Sequence, residues 1–271
     1  MIEYTPKLEK LKEYLDHLSV AEKECLHDLS YPFIPNFDPL FDFSKNKVLI
    51  VGQETKGWQG RLKDFLNDDI SFENVIKKSK DRHAELYGQT KDQSRFLQFL
   101  RKVKQINNNE PVQWLNFYFF DYKKKSFNTF RKKSEYEEIS VHLEKLSIQN
   151  LSEQIKRLKP KVIFFTGQYH NNFPKLEESL ELLSNEKIMT GEHVDKFTMR
   201  IWNNETLVLR VPHPAHWRAS SNEARKVALK YFKLFDASKN IDDFKAQGKG
   251  YQTRMNEILR EAMLEDLKNH Q

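Results

Sequence analysis

Residues 47–58 read KVLIVGQETKGW, and the fold turns on the first six of them. Val48, Leu49, Ile50 and Val51 are apolar without interruption, and Gly52 ends the run. A strand with one face in water alternates apolar and polar residues. A strand without a polar position is covered on both faces, as inside a parallel sheet. Working outward, three further predominantly apolar runs follow: VQWLNFYFF (112–120), KVIFFTG (161–167) and TLVLRVPHP (206–214). Helical periodicity fills the intervals. SRFLQFLRKV (94–103) puts Phe96, Leu97, Leu100 and Val103 on one face, and NLSEQIKRLKP (150–160) stops at Pro160. Ser220-x-x-Glu223 forms a capping box ahead of a stripe of Val227, Ala228, Tyr231 and Phe235. Strands alternating with helices predict an α/β fold on a four-stranded, mainly parallel sheet with right-handed crossovers.

Outside this core, residues 7–29 read as one amphipathic helix, with Leu8, Leu11, Leu15 and Leu18 at helical spacing. The proline-rich YPFIPNFDPLFDF (31–43) reads as an extended, wrapping connection. Met255, Ile258, Leu259 and Leu267 mark a last amphipathic helix. The expected organisation is a single domain over 1–271. It comprises a helix and wrapping segment (1–45), a core (46–236) and a C-terminal helical extension (237–271).

Composition excludes several classes. The chain has 271 residues, enough to bury a core, and its 38% hydrophobic content argues against disorder. Cys25 is the lone cysteine, so intrachain disulfides, cysteine-based zinc sites and four-cysteine iron–sulfur clusters are excluded, and a reducing, cytoplasmic setting is expected. MIEYTPKLEK lacks the apolar core of a secretory signal, and no run approaches the roughly 18 apolar residues of a membrane helix. The 8 glycines allow no GxGxxG fingerprint. Gly52 and Gly57 have P-loop spacing, but Trp58-Gln59 stands where Lys-Ser/Thr is required. HExxH and GxSxG are also absent. A monomer with neither metal nor cofactor is expected.

Ligands of open parallel sheets bind beyond the carboxyl ends of the strands. Here those ends carry Gly52-Gln53-Glu54-Thr55-Lys56-Gly57-Trp58, then Asn116 and the cluster 121–133. Gly167-Gln168-Tyr169-His170 follows the third run and His213-Pro214-Ala215-His216-Trp217-Arg218 the fourth. In this order and spacing, over roughly 46–236, the chain resembles the uracil-DNA glycosylase superfamily. VLIVGQETKGW stands at its Gly-Gln-Asp-Pro-Tyr-His motif and VPHPAHWRAS at its His-Pro-Ser turn. WLNFYFF is similar to its central strand, which bears the Asn that reads uracil, and PKVIFFTG to its third. The resemblance implies a three-layer α/β/α sandwich and cleavage of an N-glycosidic bond in DNA. It also marks departures: Glu54 replaces the motif's Asp, Thr55 its Pro, and Ala215 the Ser that helps grip phosphate. The lone cysteine excludes the branches that carry an iron–sulfur cluster.

Breaking that bond builds positive charge on the sugar and negative charge on the departing base. Glu54 is the candidate carboxylate beneath the sugar, and His213 the candidate donor to the base. Gln53 and Asn116 are candidates for base recognition, Asn116 because one amide both donates and accepts. A target base must leave the duplex or start single-stranded. Phe65 is a candidate stacking wall for the flipped base, and Trp217 stands where the family has its intercalating residue. Each has a plainer reading: a loop glutamate, a strand-end histidine, a capping amide, core aromatics.

The excess of 45 basic over 39 acidic residues gives a net charge of +6. Lys123, Lys124, Lys125, Arg131, Lys132 and Lys133 concentrate it beyond the second strand, with Phe127 and Phe130 interleaved and Asp121 as the local acid. These, with Lys56 and Arg218, are candidate phosphate contacts; a solvated loop is the alternative. The expected function is a DNA glycosylase-like hydrolase acting on uracil or a related damaged or modified base in single- or double-stranded DNA. A non-catalytic nucleic-acid-binding module on the same fold, and an unrelated α/β enzyme acting on a nucleotide, remain open.

Overall fold

In the computed structural model, residues 6–55, 57–89, 94–167, 172–188, 196–216 and 218–237 are described. The protein has the α/β class. All four expected strands are present: β1 (Val48–Gly52), β2 (Val112–Asn116), β3 (Val162–Thr166) and β6 (Thr206–Val211). They pair in parallel, with β1 between β2 and β3 and β6 beyond β3. The sheet is larger than expected, however, and mixed. β4 (Asn185–Ile188) and β5 (Thr198–Trp202) add two antiparallel strands, giving the order β2-β1-β3-β6-β5-β4. These two carry no continuous apolar run. β4 is exposed at Asn185, Glu186 and Lys187, and β5 mixes buried Met199, Ile201 and Trp202 with part-exposed Thr198 and Arg200.

The chain leaves β1 for β2 on one side and returns to β3 on the other, which opens a crevice at the carboxyl ends. The intervening helices are α3 (Leu62–Leu66), α4 (Phe72–Gly88), α5 (Arg95–Ile106), α6 (Phe127–Arg131), α7 (Glu137–Leu158), α8 (Phe173–Leu180) and α9 (Ala219–Ala237). Both faces of the sheet are covered. Phe164 meets Phe99 of α5 and Phe232 of α9 edge-on, whereas Phe165 meets Phe173 of α8. Successive strand side chains point to opposite faces, so α5 and α9 lie on one face. On the other lies α8, against which α7 packs. One buried cluster runs from Leu8 to Phe232. Among the described residues no helix is long and apolar enough to cross a membrane.

Three expected boundaries shift. The N-terminal helix is two: α1 (Pro6–Asp16) and α2 (Val20–Leu26). Ser19 starts the second through a capping box, its Oγ accepting from Glu22 N–H while Glu22 Oε2 accepts from Ser19 N–H at 2.8 Å. Helix α9 begins at Ala219, so Ser220 lies within its first turn rather than capping it. Finally, β2 stops at Asn116, although Phe117, Tyr118, Phe119 and Phe120 remain buried. This stretch crosses the end of β1, donating from Phe117 N to Gly52 O and from Tyr118 N to Gln53 O. It then meets the wrapping segment, where Phe33 N donates to Phe119 O. Its apolarity reports burial rather than strand. The C-terminal extension expected from 237 lies, beyond its first residue, outside the described residues.

Candidate functional site

A cavity of about 760 Å³ opens at the carboxyl ends of the parallel strands. Gly52 and Asn116, the last residues of β1 and β2, line it, as does His213 just beyond β6. Gln53 and Glu54 complete the part contributed by the first loop. The residues singled out in three distant segments therefore face one space.

The polarity of Asn116 is set by its neighbours. Trp114 Nε1 donates to Asn116 Oδ1 at 2.9 Å, which makes that atom the oxygen and leaves Nδ2 as donor. Nδ2 is buried with no hydrogen-bond partner, in a residue only 9% exposed. Stranding such a group costs about 1–3 kcal/mol, so its natural complement is an acceptor on a ligand. Gly52 permits the arrangement: a Cβ there would stand 2.5 Å from Asn116 Oδ1 and 3.3 Å from the Phe96 ring.

Glu54 is half-buried, and its Oε2 is shut off from solvent. Its loop is held by Asp121, which is 1% exposed. Asp121 Oδ2 accepts from Thr55 Oγ1 at 3.1 Å, Gly57 N at 2.8 Å and Trp58 N at 3.0 Å. Oδ1 accepts from Lys124 N at 3.1 Å. One carboxylate thus ties the Glu54 loop to a tight turn at Tyr122–Lys125. There Lys123 and Lys124 both take positive φ and Lys125 N donates to Tyr122 O. That turn presents Lys124 and Lys125, both exposed, to the cavity.

On the opposite side the clamp is a cation. Arg225 of α9 is 9% exposed and donates to the carbonyls of Pro212, His213 and His216, and to Asn222 Oδ1. Burial, and secondarily the like charge of Arg95, lower its pKa. The turn so held folds back on itself: Ala215 N donates to His213 Nδ1 at 3.2 Å. An acceptor at Nδ1 puts the proton of a neutral imidazole on Nε2, making that atom a donor. The His213 ring lies parallel to Phe96, with centroids 6.2 Å apart.

The aromatic surface of the cavity comes from Trp58, Phe96 and Trp114. Behind it, Phe33 contacts both tryptophans, and Trp58 Nε1 donates to the buried Ser79 Oγ at 2.7 Å. His83 stacks on Trp114 at 5.0 Å. Burial among these rings brings its pKa from 6.5 down to about 4, a pull the Trp114 backbone only partly opposes. The unfolded chain therefore binds a proton below about pH 6.5 that the folded protein refuses until about pH 4. Stability rises with pH across that window and falls on acidification. A shift of this size corresponds to about 3 kcal/mol. We expect His83→Leu to flatten the stability profile between pH 4 and 6.5 in urea titrations; an unchanged slope would refute the assignment.

Other expected site residues lie elsewhere. Phe65 does not line the cavity; it is buried in α3 against Phe72, because its ring belongs to that helix's apolar side. Arg131 pairs at 2.8 Å with Glu144, a 3% exposed carboxylate that Lys175 also contacts. Lys123 pairs with Asp28 at 2.8 Å, and Lys133 lies over the rings of Tyr122 and Tyr136. Lys132 and Arg218 are exposed and line no part of the cavity. Lys56 and Trp217 lie outside the described residues. Sequence reading left Trp58, Trp114, Arg82, Arg95 and Arg225 unassigned. Trp58 alone carried a signal, sitting four positions past Glu54 in the same strand-end loop.

Residues 239–263 match the family of the BrnA antitoxin of type II toxin–antitoxin systems. That stretch lies outside the described residues and contains none of the cavity residues. Comparison with curated proteins returns no match.

Proposed function

We propose that this protein is a DNA glycosylase-like hydrolase that removes uracil or a related base, on a three-layer fold similar to the uracil-DNA glycosylases. The observation carrying the reading is the convergence of Glu54, Asn116 and His213 on one cavity with hydrogen-bond polarity already set. An amide that offers its N–H₂ favours a base edge bearing a carbonyl, as uracil does, over one bearing an amino group, as cytosine does. The aromatic surface of Trp58, Phe96 and Trp114 supplies the stacking expected of a flipped base. As the C1′–N bond breaks, its electron pair leaves with the base, and His213 Nε2–H donates to the oxygen that gains the charge. Glu54 stabilises the cationic sugar and accepts the proton of the water that adds to C1′. Thr55 fits this scheme although the resembled motif has proline there. A proline would stiffen the loop covalently, and Thr55 stiffens it through Asp121.

The test is release of free base from uracil-containing single- and double-stranded oligonucleotides, followed chromatographically. No release from any substrate would overturn the catalytic reading. Salt-dependent binding without release would select the second reading, a non-catalytic nucleic-acid-binding module, which Ala215, exposed where the family has its phosphate-gripping Ser, favours.

A further inference from the structure

The first turn of α5 forms a wall of the cavity: Ser94, Arg95, Phe96 and Leu97 line it consecutively. Ser94 caps the helix by accepting from Leu97 N–H, which leaves the amides of Arg95 and Phe96 outside the helix's own ladder. This twelve-residue helix begins with no acidic residue in its first turn. Arg95 is exposed, and the charge that it perturbs is another cation, Arg225. Arg82 of α4 lines the cavity as well, although Glu85 already engages it at 2.7 Å. With Lys124 and Lys125, the described residues of the lining carry four basic side chains against the carboxylate of Glu54.

A separate observation points to a ligand in this space. Asn116 Nδ2, buried and without a hydrogen-bond partner, belongs to a side chain that reaches the α5 turn at Gly52, where a Cβ would touch both Asn116 and Phe96. The unmet donor and the helix start therefore share one compartment. Its volume of about 760 Å³ lies within the range that holds drug-sized ligands, so it admits a sugar and a phosphate as well as a base.

We propose that the Arg95 end of α5 is an anion subsite that holds a phosphate group of the nucleotide whose base meets Asn116. The inference rests on the base-recognition reading above and adds to it a phosphate contact on the wall formed by α5. Arg95 supplies a planar, bidentate charge, and the first-turn amides outside the helix's own ladder supply donors aligned with the helix dipole. The phosphate is either the phosphodiester of a strand or the terminal phosphate of a free nucleotide.

Binding to the full-length protein separates these cases, with three probes: a uracil-containing single-stranded oligonucleotide, deoxyuridine 5′-monophosphate, and deoxyuridine. Arg95→Gln is expected to weaken the phosphate-bearing probes about 10-fold and to lower the salt dependence of oligonucleotide binding by about one counterion. Deoxyuridine binding should not change. Loss confined to the oligonucleotide identifies a strand phosphodiester; loss for both phosphate-bearing probes identifies the nucleotide's own phosphate. Arg82→Gln should have the smaller effect, since Glu85 already engages that side chain. If the wild type binds and Arg95→Gln leaves the phosphate-bearing probes unaffected, or weakens deoxyuridine equally, the subsite is refuted while base recognition stands. If the wild type binds none of the three, both fall together.

Discussion

Glu54→Gln is expected to lower base release by about 10²–10⁴-fold while leaving oligonucleotide binding within a factor of about three. The amide has the shape of the carboxylate, so the loop should keep its form. What it lacks is the negative charge facing the developing sugar cation and the basicity to accept a proton from water. The loop itself depends on Thr55, Gly57 and Trp58, whose bonds go to Asp121 rather than to Glu54. Single-turnover rates at saturating enzyme measure the effect, and a variant that releases base at the wild-type rate would remove Glu54 from the mechanism.

Asp121→Asn carries the largest expected loss of stability. Asp121 Oδ2 faces three donors and Oδ1 a fourth. An asparagine that keeps its oxygen toward the three must turn its N–H₂ against Lys124 N–H, two donors facing each other at a buried position. A carboxylate that loses its charge while its donors stay buried costs about 3 kcal/mol, measurable as a lower urea midpoint. Glu54 and the lysine turn should loosen together, so base release should fall and oligonucleotide binding weaken. Thr55→Val removes one of the four bonds and should cost only about 1 kcal/mol. Unfolding of Asp121→Asn within about 0.5 kcal/mol of wild type would show that the clamp is not rigid.

How much of this was legible in the sequence follows from what each residue does. The parallel strands announce themselves because burial on both faces excludes polar residues, as Val48–Val51 and Val162–Phe165 show. The antiparallel extension does not, because Asn185, Glu186 and Lys187 stay in water. The residues at the strand ends were legible as a group, since Gly52, Asn116 and His213 each interrupt or follow an apolar run. Their supports were not. Asp121 stands in a basic stretch and reads as a counter-charge to the lysines around it, whereas its carboxylate is turned inward onto backbone amides. Nothing in the sequence marks Arg225 within its helix, whereas in the fold it is buried on three carbonyls. The lysine cluster divides for the same reason. Composition gives the charges, but only the turn at Tyr122–Lys125 decides that Lys124 and Lys125 face the cavity while Arg131 is drawn to Glu144.

The placement of β1 between β2 and β3 has a consequence for the chain as it leaves the ribosome. Both neighbours of β1 are encoded after it, the second more than a hundred residues downstream. The wrapping segment waits as well, for Ser30 and Phe33 bond to Asp121 and Phe119. A nascent chain must therefore carry Val48–Val51 without a strand partner until Val112–Asn116 is made, and with one edge open until Val162–Thr166 follows, the condition under which an apolar strand is most exposed to misassociation. His213 and the Arg225 that fixes it arrive later still. The cavity is thus completed only once Arg225 has been made, after the parallel strands that support it can already have closed.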